Sequence, residues 1–303
     1  MLKSMRCLNF AAAAAFVCPA LSEAQRVPGR DLLHYPLGTL AEAPALATET
    51  GDGFQNPAAI RLGEGTRARA TAVALNTGAD RGVSSQLAAV SVALPKEITV
   101  AFSAVHAAIS GIGRTTTDPQ PIGAEIPYST VVLSLSGARR SIHHVTSGVA
   151  VRYRTGEVDG LRGSTFGLDG GVLVDRVFGY DARVGVASFM WGPGNEDSKD
   201  ASFSGAFDAR VAGRDSTRQA RLGYSYTFDD GASAGHYVFA SGRYSRWVTR
   251  VGVARSDAFG TTDTSVRFAL GLRYARYTVG LSREESADGF DPTYQFVLSG
   301  TFR

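Results

Sequence analysis

From about residue 65 to its end, the sequence alternates apolar with polar or small residues at a period of two. The alternation comes in segments of roughly ten residues, separated by Gly, Asp, Ser and Pro clusters. Val266, Phe268, Leu270, Leu272 and Tyr274 fall on one side of an extended chain, and Arg267, Ala269, Gly271 and Arg273 on the other. Ala220, Leu222, Tyr224, Tyr226 and Phe228 oppose Arg221, Gly223 and Ser225 in the same way. Tyr294, Phe296, Leu298 and Phe302 oppose Gln295, Ser299 and Thr301. A chain with this pattern is committed to strands, because successive side chains of a strand point to opposite faces.

Alternation and breakers together predict fourteen strands, at 65–76, 84–95, 97–108, 127–137, 146–154, 164–174, 180–190, 202–212, 217–228, 235–244, 246–255, 264–274, 275–283 and 293–302. A soluble sandwich turns its apolar face inward and rarely needs so long an up-and-down series. An outer-membrane barrel turns that face to lipid, rings it with aromatics and keeps a polar lumen. The prediction is therefore an all-β, 14-stranded antiparallel transmembrane β-barrel over residues 65–303. It must close, because an open edge in hydrocarbon leaves backbone groups unpaired at several kcal/mol each.

Two further segments precede the barrel. Residues 1–24 read as a signal peptide: Lys3 and Arg6 are followed by an apolar run from Cys7 to Leu21, and Ser22-Glu23-Ala24 supplies small residues for cleavage. Both cysteines, Cys7 and Cys18, lie inside it, so the mature chain is expected to have neither disulfides nor a thiolate metal site. Residues 25–64 do not alternate. Broken by Pro28, Pro36, Pro44 and Pro57, they read as loop and short helix. An irregular stretch of about 40 residues is uncommon in a compact domain unless it has a task, and at a barrel its natural place is the mouth or the lumen.

Within that stretch, Phe54-Gln55-Asn56-Pro57-Ala58 resembles the aromatic-x-Asn-Pro-Ala box near the mature N-terminus of the FadL and PorV/PorQ superfamily of outer-membrane barrels. Phe166-Gly167-Leu168-Asp169-Gly170-Gly171 and Leu222-Gly223-Tyr224-Ser225-Tyr226 look like the PorV side of that superfamily. The resemblance implies a fourteen-stranded barrel with an N-terminal hatch. It assigns the hatch motif to Phe54, Asn56, Pro57 and Ala58. The chain departs from many such barrels in ending Phe302-Arg303 rather than on Phe, and it has little length for extended extracellular loops.

Charge sharpens the reading. The 31 Lys and Arg exceed the 28 Asp and Glu by only three, which excludes a general nucleic-acid footprint. Only Lys3, Lys96 and Lys199 are lysines, so arginine carries the positive charge. Arginine favours fixed carboxylate or phosphate partners. Alternation places Arg67, Arg69, Arg152, Arg154, Arg183, Arg210, Arg221, Arg267 and Arg273 on the lumenal face, with Asp169, Asp181 and Asp208. Charges on the lipid face would cost about 2–4 kcal/mol each near the midplane. Two readings follow: an ion-pair lattice that stiffens the interior, or a basic corridor for an anionic ligand group. Because arginines outnumber acids in this set, some are expected to reach loop acids, water, ligand, or Glu42, Glu49 and Asp52 of the hatch.

Zinc-protease and nucleotide-binding signatures are missing from the sequence: it has no His-Glu-x-x-His and no phosphate-binding loop. His143 and His144 are adjacent, so in a strand they would face opposite sides. The sequence thus predicts a non-enzyme with no cofactor and no metal. It predicts a passive conduit or binding site for small hydrophobic or amphipathic molecules, exported to the bacterial outer membrane and in contact with its lipid. An alternative is a non-transporting accessory barrel that binds a secreted protein or secretion-machinery protein. A wall-embedded lipase using His106 or His236 is a third, weaker reading.

Overall fold

The computed structural model describes residues 27–303, apart from 49–50, 52, 64, 79–81, 115–124, 143, 192–200, 216, 230–232, 259–260 and 288–290. The signal-peptide reading, Glu49, Asp52 and His143 lie outside the described residues. Fourteen strands form one closed antiparallel barrel. They are β1 (Ala68–Asn76), β2 (Val83–Leu94), β3 (Ile98–Ile109), β4 (Tyr128–Ile142), β5 (Val145–Val158), β6 (Leu161–Asp175), β7 (Ala182–Phe189), β8 (Ser202–Asp215), β9 (Arg218–Asp229), β10 (Ser233–Tyr244), β11 (Trp247–Ala258), β12 (Thr261–Tyr274), β13 (Tyr277–Ser286) and β14 (Thr293–Phe302). Each strand pairs with its sequence neighbours, and β1 closes on β14 from Ala68 opposite Phe302 to Asn76 opposite Tyr294.

Every segment read from alternation is a strand. The sequence reading ends one strand at 154 and begins the next at 164, whereas β5 runs to Val158 and β6 starts at Leu161. Only Asp159-Gly160 intervenes, both at positive φ (50° and 81°). Asp-Gly is the natural occupant of a tight hairpin turn whose two central residues need positive φ.

The two ends of the barrel differ. One carries the start of β1, the end of β14 and the short connections β2–β3, β10–β11 and β12–β13. The other carries the long connections β3–β4 and β7–β8. Short turns mark the periplasmic end of outer-membrane barrels and longer loops the outer end. The outward face is apolar, with Phe102, Leu135, Val151, Phe166, Phe207, Val238, Phe268, Leu281 and Leu298 exposed. Tyr244, Trp247, Tyr274, Tyr277 and Phe302 ring the short-turn rim, and Phe203, Tyr226, Phe228 and Tyr294 the opposite side. Such a surface is stable only against lipid, and the protein is a barrel of the bacterial outer membrane.

The buried core lies in the lumen, where residues 27–60 are packed. That segment makes three 3-10 turns, at Asp31–Leu33, Pro44–Leu46 and Pro57–Ala59, in keeping with its breakers. The polar lumen expected from alternation is only half right. On β1 to β4 and β14 the inward residues include Val73, Leu75, Leu87, Val105, Val132 and Val297, packed with Leu32, Leu33, Leu37 and Leu40. A second cluster joins Ala43, Ala45, Leu46 and Ala58 to Leu173, Tyr237 and Phe239. A lumen filled by chain has apolar surface of its own to bury, so the wall facing it need not be polar.

Candidate functional site: the lumenal segment and the wall it meets

The lumenal segment starts near the outer end. There Arg154 on β5 donates to the carbonyls of Val27 and Pro28, both at 2.9 Å, and Tyr128 Oη at the head of β4 donates to Asp31. The chain crosses to β14, where Gln295 accepts from Gly38 N at 2.9 Å. It then descends to Glu42, whose carboxylate meets Arg183 on β7 at 2.9 Å and Arg250 on β11 at 3.3 Å.

The Asn-Pro-Ala box is locked by its own chemistry. Asn56 is fully buried and extended before Pro57; its Oδ1 accepts from Ala58 N at 2.9 Å while its Nδ2 donates to Ala45 O at 2.6 Å. The box sits against the wall where Gly148 and Gly171 face it, and a Cβ at either position would collide with Pro57 or Asn56. Phe54 meets Phe189 edge-on at 5.4 Å, and the Arg152 guanidinium lies 4.7 Å from both ring centres. Arg152 also pairs with Asp169 and donates to Phe54 O. Arg152 and Asp169 are both about 1% exposed, so this is a charge pair fully withdrawn from water. Such a pair is tolerated only when its remaining hydrogen-bonding capacity is filled.

Next to this pair the wall is interrupted. β6 and β7 pair only from Gly171 opposite Ala187 to Asp175 opposite Arg183. Beyond that, side chains stand in for the ladder: Ser188 Oγ accepts from Gly170 N at 2.8 Å and Asp169 accepts from Trp191 N at 3.1 Å. One backbone bond persists, Leu168 N to Trp191 O at 2.7 Å. At Met190 φ is 58°, and Met190 joins the lumenal core while Phe189 packs against it. The end of β7 thus bends into the barrel.

The nine arginines singled out from sequence separate by role. Arg67 is exposed just ahead of β1. Arg69 donates to Thr48 O at 3.3 Å. Arg152 and Arg154 hold the carbonyls described above. Arg183 and Arg221 converge on the fully buried Asp208, Arg183 Nε and Arg221 Nε each at 3.1 Å. Arg221 also reaches Asp181 at 2.6 Å, as does Arg210 at 3.2 Å. The Asp181 carboxyl, in the turn before β7, is held below the usual carboxylate range, chiefly by its hydrogen bond from Arg221. Arg267 pairs with Glu284 at 3.0 Å and lies over the Tyr237 ring. Arg273 is half-buried on the lumenal face.

Sequence reasoning missed Arg250, which also donates to Leu40 O at 3.1 Å. The outward Val251 and Val253 would have placed it inward. It missed more generally that arginines would bind main-chain carbonyls. An irregular buried segment exposes carbonyls with no ladder partner, and guanidinium offers five donors to them. His106 and His236 face outward, His236 Nδ1 lying 2.7 Å from Tyr224 Oη.

No family model and no curated protein matches the chain. Among solved structures, the Pseudomonas putida toluene transporter TodX superposes with a TM-score of 0.56 at 9% identity, covering 85% of this chain and 95% of that one. Pseudomonas putida OprB gives 0.44 at 10% identity over 78% and 92%, and the KdgM porin 0.39 at 6% over 78% and 99%. These likenesses are of fold.

Proposed function

We propose that the protein is a passive outer-membrane conduit of FadL type for small hydrophobic or amphipathic molecules, with residues 25–64 acting as its hatch. The observation that carries this reading is the interrupted β6–β7 ladder directly beside the Phe54 box. In hydrocarbon every backbone group of the wall needs a partner. Here Ser188 and Asp169 replace the missing partners, which argues for a built interruption. Its outer rim is apolar, with Phe166, Leu168, Val186 and Trp191 exposed, which suits the exit of an apolar molecule toward the bilayer. The fold shared with the toluene transporter TodX is compatible with this.

The test is uptake of a labelled long-chain fatty acid and of a labelled aromatic hydrocarbon by vesicles holding the purified protein. Uptake above protein-free vesicles is expected for at least one. A Gly170→Cys/Ser188→Cys pair, placed where the side-chain bond now bridges the strands, should block uptake when oxidised and restore it when reduced. Uptake equal to that of protein-free vesicles overturns the conduit and leaves the accessory-barrel reading. Uptake indifferent to the crosslink overturns the lateral route.

A further inference from the structure

A cavity of about 220 Å³ lies inside the barrel at its short-turn end, below Glu42 of the lumenal segment. Its polar lining comes from Arg183, Gln219, Arg221, Ser241, Arg243 and Arg250, and Glu42 is its single acid. We propose that this cavity is a binding site for a small soluble oxyanion, a phosphate or short carboxylate, and that Glu42 is its built-in competitor.

Three observations carry the assignment. First, the site already holds a carboxylate: Glu42 spans Arg183 and Arg250, showing that these guanidinium groups are set for a two-oxygen acceptor. Second, the charge is unbalanced. Among the described residues, the linked network sets Arg183, Arg210, Arg221 and Arg250 against Glu42, Asp181 and Asp208, four positive charges against three negative. Asp208 has no exposed surface, so an incoming ion meets the arginines and not that acid. A recess with low-dielectric walls focuses such an excess on its mouth. Third, the size suits a head group and little else. With about 30 Å³ per water, the space holds roughly seven waters, enough for a hydrated phosphate or dicarboxylate. Leu46, Tyr237 and Phe239 of the second apolar cluster are not among the residues that line the cavity.

The inference does not rest on the conduit reading, because it concerns equilibrium binding without flux. Inorganic phosphate and succinate are titrated calorimetrically into the full-length protein in nanodiscs at low and high salt. Saturable binding that weakens with salt is expected. Glu42→Gln should tighten it at least tenfold by removing the competitor, and Arg250→Gln should weaken it at least tenfold. Because either change could loosen the lumenal segment, Arg243→Gln and Gln219→Leu serve as milder variants, each expected to weaken binding at least threefold. Heat-modifiable gel migration verifies that every variant remains a barrel. Affinity should be equal in phosphatidylcholine and phosphatidylglycerol nanodiscs; loss in the latter would assign the site to a lipid headgroup and overturn a soluble ligand. The proposal is overturned if folded Glu42→Gln binds no tighter, or if Arg243→Gln and Gln219→Leu both bind as the unaltered protein does.

Discussion

The lumen has two walls that hold the same segment by different means. The wall formed by β1 to β4 with β14 takes the side chains of Leu32, Leu33, Leu37 and Leu40 on an apolar patch of Val73, Leu75, Leu87, Val105 and Val132. The wall from β5 through β11 carries Arg152, Arg154, Arg183, Arg221 and Arg250, and takes the segment's carbonyls and its Glu42 carboxylate. Arg69 on β1 crosses the division, binding Thr48 O. The difference teaches what an irregular segment needs in order to live inside a barrel. Its side chains want burial, worth about 1.5–3 kcal/mol for each fully buried leucine. Its main chain wants donors that no ladder supplies, and an unsatisfied buried acceptor costs about 1–3 kcal/mol. The first wall answers mainly the side chains and the second mainly the carbonyls, although Gln295 of β14 also binds Gly38 N and the second wall also buries Leu46.

If that division holds, the largest effect should come from the arginine wall at its driest point. Arg152→Ala is expected to cost about 3–5 kcal/mol in urea unfolding of the vesicle-refolded barrel, since it strands Asp169 in the interior. An Arg152→Met/Asp169→Leu double variant should recover much of that loss. Failure to recover would mean that the Phe54 carbonyl and ring contacts outweigh the charge pair. On the apolar wall, Leu37→Ala should cost about 2–5 kcal/mol by leaving a cavity. No second substitution on the arginine wall should rescue it, and the loss should be the same at low and high salt. A salt-dependent loss would break the comparison.

The smallest effect is electrostatic. Asp181 is partly exposed, and its carboxyl is depressed by the hydrogen bond from Arg221. A depressed folded-state value stabilises the protein above the unfolded carboxylate range, and that contribution is lost as pH falls through the folded value. Asp181→Asn should therefore lower the urea midpoint slightly at pH 7, and the difference should shrink as the pH falls through the folded value. An equal shift at every pH would assign Asp181 a packing role instead.

The strands were legible because lipid enforces alternation: Phe268 and Leu270 must face out, which leaves Arg267 and Ala269 to face in. Where that demand relaxes, legibility falls. Asp159-Gly160 went unread as a two-residue hairpin because the flanking residues, Gly156 to Gly163, are too mixed to show a period. On β2, Ser84 and Gln86 face outward while Val83 and Leu87 face the lumen, the reverse of the expected pattern, because the lumenal segment brings its own apolar surface to that wall. Asn56 was visible as a stiff Asn-Pro unit. Its bond to Ala45 O was not, since nothing local links two residues eleven positions apart. Arg250 could have been read; the carbonyls awaiting the arginines could not, because acceptors on an irregular main chain leave no mark in side-chain sequence.

The path of the lumenal segment also constrains the order of assembly. It runs from Val27 near the outer mouth, through the whole height of the lumen, to the foot of β1 at the opposite rim. Pairing of β1 with β14 joins the two ends of the barrel sequence, the contact of greatest sequence separation and so the slowest to form by chain diffusion. A segment that fills the interior is far more easily enclosed than threaded afterwards. If the seam between β1 and β14 is the last stitch, it is sewn around a core already seated, with the lumenal segment as the mandrel on which the cylinder is wound.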